Sequence, residues 1–453
     1  MKPDRPRYRT PHPVTLLRLA LWLGVALLVP RPARADTRAL HLREAIALAL
    51  RQNTQALQAD ARIEEAEARR KSARGRFGPQ LSTDMSVYVW NQAEDAALSI
   101  PGVPAGAIPP MRIRDQVTGQ INVSLAQPLT AIYQAYKGYR MAALGRQASG
   151  TGKEQVRQVL AFEASRAYIG LKQGQTGLSI ARSAVTQLKA QLKQVEALQR
   201  AGVVDRNDVL KVQVGLARAE ETVIRAEAGV SLAQSAVAVM LGLDPATIVD
   251  PVEPFADPPP PLGLDLAACV ATAARNRPEL KLANTGVQIA RAGQQVATWN
   301  LLPQVVAIAN YQHTEGQGLF FPKDSVFVGG SLKWTFWEWG ASYYGIDEAR
   351  AKVRQAEQEL PILKARLYLE LKQAYLDLQV AGKALTVAAA SVVQAEEAYR
   401  IEQAKYNRQA ITTTELLDAQ LSVTRAQLAR TNALYGWYLA RAALKKAMGE
   451  PAL

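Results

Sequence analysis

Long stretches of the chain place apolar residues at alternating steps of three and four. One series runs Val209, Val212, Leu216, Ala219, Val223, Ala226, Val230, Ala233, Val237, Met240. A second holds Leu178, Ala181, Val185, Leu188, Leu192 and Val195, and a third Leu385, Ala388, Val392, Ala395 and Tyr399. This alternation marks the seam of a coiled coil rather than the face of a helix on a globular core. Many seam positions are alanine, so the helices can approach closely. The pattern predicts helices from His41 to Arg76, Tyr136 to Arg200 and Asp205 to Leu241. Gly78-Pro79 stops the first, the turn Ala201-Gly202-Val203-Val204 the second and Gly242 the third. Later in the chain Arg430 interrupts a seam, and Pro361 predicts a kink.

Four other segments alternate with period two: Leu81 to Val89, Thr118 to Leu125, Val305 to Gln312 and Val326 to Thr335. Their lengths, about 8–10 residues, suit tilted membrane strands. Asn91–Val117 and His313–Ser325 read as the loops between paired strands. Trp334, Trp337 and Trp339 cluster where the last strand ends, as an interfacial girdle would. A soluble sheet with one wet face alternates in the same way. If the strands span a membrane, four cannot close a barrel, and lipid does not tolerate an open edge. Several chains must then pool their strands.

The whole pattern occurs twice. A fixed offset carries Ser124-Leu125 onto Ser331-Leu332, Tyr168 onto Tyr375, Leu210 onto Leu417 and Leu241-Gly242 onto Met448-Gly449. Leu42-x-x-Ala45 and Pro79-Gln80 recur as Leu264-x-x-Ala267 and Pro303-Gln304. The fold expected is mainly α with membrane β, in two repeats of helix, strand, strand, long helix, helix. Repeat one covers residues 36–243, a stiff proline-rich connector 244–263 and repeat two 264–453. The long helix, about 65 residues, reaches ~100 Å, and the two shorter helices together match it. The economical packing stacks the short pair end to end beside the long one.

Residues 1–35 read as a signal peptide: a basic start, an apolar stretch from Leu16 to Val29, and Ala33-Arg34-Ala35 as the cleavage site. No apolar run beyond it reaches ~18 residues, so no transmembrane helix is expected. Asp36, not cysteine, would begin the mature chain, so N-terminal acylation is not expected. The single cysteine, Cys269, lies on an apolar helix face and reads as a small core residue. The net charge of +14 falls once the leader is removed. The rest is spread over long helices, which speaks against nucleic acid. His41 and His313 are the only mature histidines. No metal cluster, phosphate loop or nucleophile motif stands out, so no enzyme, metal or cofactor is expected.

These motifs resemble the TolC-like outer-membrane efflux protein family. The resemblance is carried by Leu42-x-x-Ala45 and its echo, Gly78-Pro79-Gln80, Leu302-Pro303-Gln304, Gln127-Pro128-Leu129, Ala201 to Leu210, and Tyr406-x₈-Glu415-Leu416-Leu417-Asp418-Ala419-Gln420. It implies a homotrimer pooling four strands per chain into a 12-stranded β-barrel on a long α-helical coiled-coil tunnel. The barrel would sit in the lipid of the cell outer membrane, with the tunnel extending into the periplasm. Asp84, Asn122, Ser124 and Asn310 would line the pore, with the Ile/Val/Leu set facing lipid. The periplasmic gate would use Asp418, Glu415, Tyr406 and Asp208. Gly202, Val203, Val204, Ala410, Ile411 and Thr412 would dock a periplasmic adaptor (membrane fusion) protein joined to an inner-membrane pump. Glu415 and Asp208 have an equally good structural reading: Thr412-x-x-Glu415 is a capping box, and Asp208 sits in a first helical turn. Asp418 lies a turn further in, where capping does not explain it. The chain departs from the family pattern at Gln409, where a turn glycine belongs, and at Ile411, where a basic gate partner belongs. Arg408 is the candidate substitute for the closing links.

The function implied is passive export, as the outer-membrane channel of a tripartite efflux or type I secretion system. The alternative is a periplasmic coiled-coil protein that tethers envelope layers. It explains the heptads but not the strands.

Overall fold

The computed structural model describes residues 37–451, apart from 98–100, 103, 105–106, 108, 258, 260–262, 264 and 319–321. The expected leader and Pro258, Pro260 and Pro261 of the connector lie outside the described residues.

The chain begins with β1 (Thr37–Leu40), α1 (Leu42–Gln52), α2 (Thr54–Gly75), β2 (Gln80–Val89), β3 (Glu94–Ala96) and β4 (Met111–Pro128). The long α3 (Ile132–Arg200) and the returning α4 (Arg206–Met240) follow. After β5 (Ile248–Pro251) the order recurs as α5 (Leu266–Asn276), α6 (Pro278–Trp299), β6 (Gln304–Gln317), β7 (Asp324–Lys333), α7 (Ala341–Tyr406) and α8 (Thr413–Met448). α3 has 69 residues and α7 has 66, each ~100 Å long at 1.5 Å per residue.

The first helix of each half is broken, which corrects the single helix expected from His41 to Arg76. Asn53 is extended (φ −65°, ψ 133°), and its side chain caps α2 by accepting from the Gln55 amide at 2.8 Å. Arg277 takes the same conformation, and Pro278 starts α6, because a residue before proline is driven out of the helical region. The ends of the returning helices pack into these breaks. The Asn53 amide donates to the Met240 carbonyl at 2.9 Å, and Arg277 donates to that of Lys446 at 3.4 Å. Gly242 (φ +74°) and Gly449 (φ +76°) turn the chain there. A Cβ on Gly242 would lie 2.6 Å from the Gln52 carbonyl oxygen, and one on Gly449 2.9 Å from the Asn276 carbonyl carbon. Two short helices thus meet end to end beside one long helix.

The seams are buried as the spacing predicts. Val209, Val212, Val237, Ala181, Leu188, Val195, Leu385 and Val392 are buried, and their seam neighbours are half-buried. α7 continues as one helix across Pro361. α4 and α7 each hold an 18-residue stretch whose length and average composition match those of a membrane-crossing helix. The apolar residues lie on two stripes rather than in one run. Beside its seam α4 exposes Leu210, Val214, Ile224, Leu232 and Val239, and α7 exposes Ile362, Leu369, Val380 and Val387.

Within the expected connector, residues 244–257 form a packed strap. β5 pairs in parallel with β1, Thr37 opposite Ile248. The fully buried Tyr168 donates its hydroxyl to the Leu40 carbonyl (2.7 Å) and accepts from the Glu253 amide (3.0 Å). Burial raises the Tyr168 pKa to about 12. Phe255 meets Tyr435 and Tyr438 edge-on at 5.5 and 4.8 Å and packs against the cores of both halves. Asp257 pairs with Arg430 at 2.6 Å, which explains the charge that interrupts the seam. Cys269 is buried in the second core, and burial pushes its thiol pKa up.

Candidate functional site

Two turns form one tip of the molecule, residues 201–205 between α3 and α4 and 407–412 between α7 and α8. Beneath them Val195, Val209, Val212, Tyr406 and Leu416 make a small buried cluster. Gly202, Val203, Ala410 and Thr412 are exposed, while Val204 and Ile411 pack partly onto this cluster. Of the six residues expected to dock an adaptor, four therefore present a free surface in the protomer and two also serve the core.

The four expected gate residues differ in what they already do. Tyr406 is only 5% exposed, and its hydroxyl lies 3.2 Å from that of Thr413. Asp208 faces Lys211 at 3.6 Å one turn on. Glu415 is held in a complete capping box. Its carboxylate accepts from the Thr412 amide (2.7 Å) and hydroxyl (2.9 Å), and the Glu415 amide donates to the Thr412 hydroxyl oxygen at 3.3 Å. The backbone bond first, then the hydroxyl, lowers the Glu415 pKa below the ordinary carboxylate range. Asp418 is exposed, and among the described residues its carboxylate has no ion-pair partner. It lines a groove between α4 and α8.

A buried glutamine layer next to the expected gate residues was not anticipated. Gln420 is 3% exposed, and its amide donates to Gln187 at 3.3 Å. Gln191 is 7% exposed, with neither amide atom paired. Leaving such groups unpaired weakens the contact between the two hairpins. The signal was present in the sequence, as glutamine beside seam positions.

At the other end β2, β4, β6 and β7 form an antiparallel sheet in that order, with β3 beside β4. The strands are longer than expected: β4 reaches back to Met111 and β6 on to Gln317, so His313 lies on a strand rather than in a loop. His41, the other histidine, precedes α1 rather than lying within it. Asp84 pairs with Asn122, and Ser124 with Asn310. Cross-strand partners share a face, and Asn122 and Ser124 lie two apart, so all four expected pore residues stand on one side. The Ser82 and Ser124 hydroxyls on that side lie 2.7 Å apart. The opposite side exposes Leu81, Met85, Val87, Val326, Val328 and Leu332. Trp334, Trp337 and Trp339 are all exposed beyond β7, Trp339 to 87%. The outer edges of β2 and β7 have no strand partner among the described residues.

The model of the family described as outer membrane efflux protein matches residues 270–450. The fold is similar to the CmeC outer membrane channel of Campylobacter jejuni, with a TM-score of 0.76 at 16% identity over 90% of this chain and 85% of that one. The second half of the chain is thus similar to the outer membrane efflux protein family. The chain is 29% identical over 191 residues to Protein CyaE of Bordetella pertussis, covering 40% of this chain and 39% of that protein. It is 22% identical over 289 residues to Nodulation protein T of Rhizobium leguminosarum bv. trifolii, covering 62% and 61%. The match thus spans less than two thirds of either curated relative.

In this chain the second tip turn carries strain that the first does not. Gln409 takes φ +60° where the equivalent residue of the first turn is Gly202 (φ +74°). A side chain in that region costs about 1 kcal/mol. Its neighbours Arg408 and Ala410 are exposed.

Proposed function

We propose that three copies of this chain form a passive outer-membrane conduit. Each supplies four strands to a closed barrel and two helical hairpins to a periplasmic tunnel. The observation that carries this reading is the sheet. Among the described residues it has two unpaired edges, one apolar exposed side and one polar side. In lipid every backbone group needs a partner, so edges β2 and β7 must pair between chains. The exposed second stripe on α7, and Ile224, Leu232 and Val239 of that on α4, support helix contacts of the same kind. In this reading Asp418 forms the constriction, with Glu415, Tyr406 and Asp208 around it. The turns Gly202-Val203-Val204 and Ala410-Ile411-Thr412 receive a periplasmic adaptor, and an inner-membrane pump supplies the work for efflux or type I secretion. The channel does no chemistry of its own. The periplasmic tether is the weaker alternative, because it leaves the apolar side of the sheet in water. Native mass spectrometry of detergent-purified protein tests the assembly. Particles of three chains are expected, and a detergent-independent soluble monomer would remove the reading.

A further inference from the structure

The groove between α4 and α8 encloses about 640 Å³, within the size range of sites for small organic ligands. Its floor is apolar, with Leu188, Val214, Leu417 and Leu421 among the lining residues. Its charged groups are unevenly signed: Arg218, Arg425 and Lys211 against Asp418. Lys211 is shared with Asp208, whereas Arg218 and Arg425 have no ion-pair partner among the described residues. Gln420 also lines the groove. It is 97% buried by its 3% exposure, and its Oε1 has no hydrogen-bond partner. A buried acceptor without a donor is costly, and a ligand donor would satisfy it.

We propose that this groove is a binding site for amphipathic organic anions: an apolar body seated on the leucines, an acidic group held by Arg218 and Arg425, and an N–H or O–H donated to Gln420. Because Asp418 lines the same groove, an occupant would touch the proposed constriction. The site deepens the conduit reading by giving its cargo a chemical class, but the binding itself does not require conduction.

The probe is 1-anilinonaphthalene-8-sulfonate, which carries an aromatic body, an N–H and a sulfonate. Its fluorescence is titrated against the full chain in lipid nanodiscs, with empty nanodiscs subtracted. One saturable site per chain is expected. Arg218→Gln with Arg425→Gln should weaken it roughly five- to tenfold, and Lys383→Gln, outside the groove, should leave it unchanged. Gly215→Leu should abolish it, since a Cβ there already lies 3.7 Å from Leu417 Cδ2 and 3.9 Å from Leu188 Cδ2. Absence of a saturable site, or unchanged affinity in the double arginine variant, overturns the proposal. A protein that conducts in bilayers without binding the probe loses only this site. One that binds as expected without conducting loses only the conduit.

Discussion

At the tip, the residues proposed for a gate differ in how far they are already committed to holding the fold. Glu415 is committed to its capping box, and Thr412-x-x-Glu415 showed this in the sequence. Its carboxylate pKa is lowered on folding, so the stabilisation is fully present above the ordinary carboxylate range. It is lost as pH falls through the depressed value. Amide protection factors at residues 413–416, taken relative to the intrinsic exchange rate at each pH, should therefore fall on acidification in the wild type. In Glu415→Gln they should be lower at neutral pH and insensitive to acid over that range. Thr412→Ala should cost the start of α8 about 1 kcal/mol. Gln409→Gly should do the opposite, slowing exchange across 406–412 about fivefold as roughly 1 kcal/mol of strain is released. Asp418 has no such structural duty. Asp418→Asn alone should reduce the cation preference of bilayer currents, and Glu415→Gln alone should leave it. Adding the second change to the first should do little more. Unchanged selectivity in the double variant would set the gate assignment aside.

At the scale of elements, the seams were legible because a 3-4 spacing is a local property of the chain, and Val209 through Met240 landed on the buried stripe. The breaks at Asn53 and Arg277 were not, because the helical composition runs on through them. What stops the helix at Asn53 is a distant carbonyl, that of Met240, together with a cap. The β1–β5 pair was hidden for the same reason. Four-residue strands carry almost no pattern, and the partners lie half the chain apart. Pro258 to Pro261 drew attention to stiffness, while Phe255 and Asp257, which tie the strap to both halves, sat beside them unremarked. The junctions give a sharp test. Gly242→Ala and Gly449→Ala each place a Cβ against backbone at positive φ, and each should cost about 2 kcal/mol or more. The measurement is thermal unfolding followed by the helical circular dichroism signal. A control Gly229→Ala, where a Cβ meets nothing within 4 Å, should be neutral or stabilising.

For the whole molecule, the protomer is unfinished at both of its surfaces. The polar side of the sheet was legible from residue alternation, and the register then brought Asp84, Asn122, Ser124 and Asn310 together. The number of chains came only from the family resemblance, because in the proposed conduit it would depend on how edges β2 and β7 meet, and no single chain contains that contact. The exposed apolar stripes of α4 and α7 raise the same question for the proposed tunnel. Leu232→Gln with Ile224→Gln, both on the outer stripe of α4, should leave the protomer folded and weaken assembly, read as loss of three-chain particles with the helical signal retained. The most direct test of the central claim is the current through a planar lipid bilayer to which detergent-purified protein is added. Joined edges predict discrete, stable conductance steps. Protein that stays soluble without detergent and passes no current under any voltage would contradict the account.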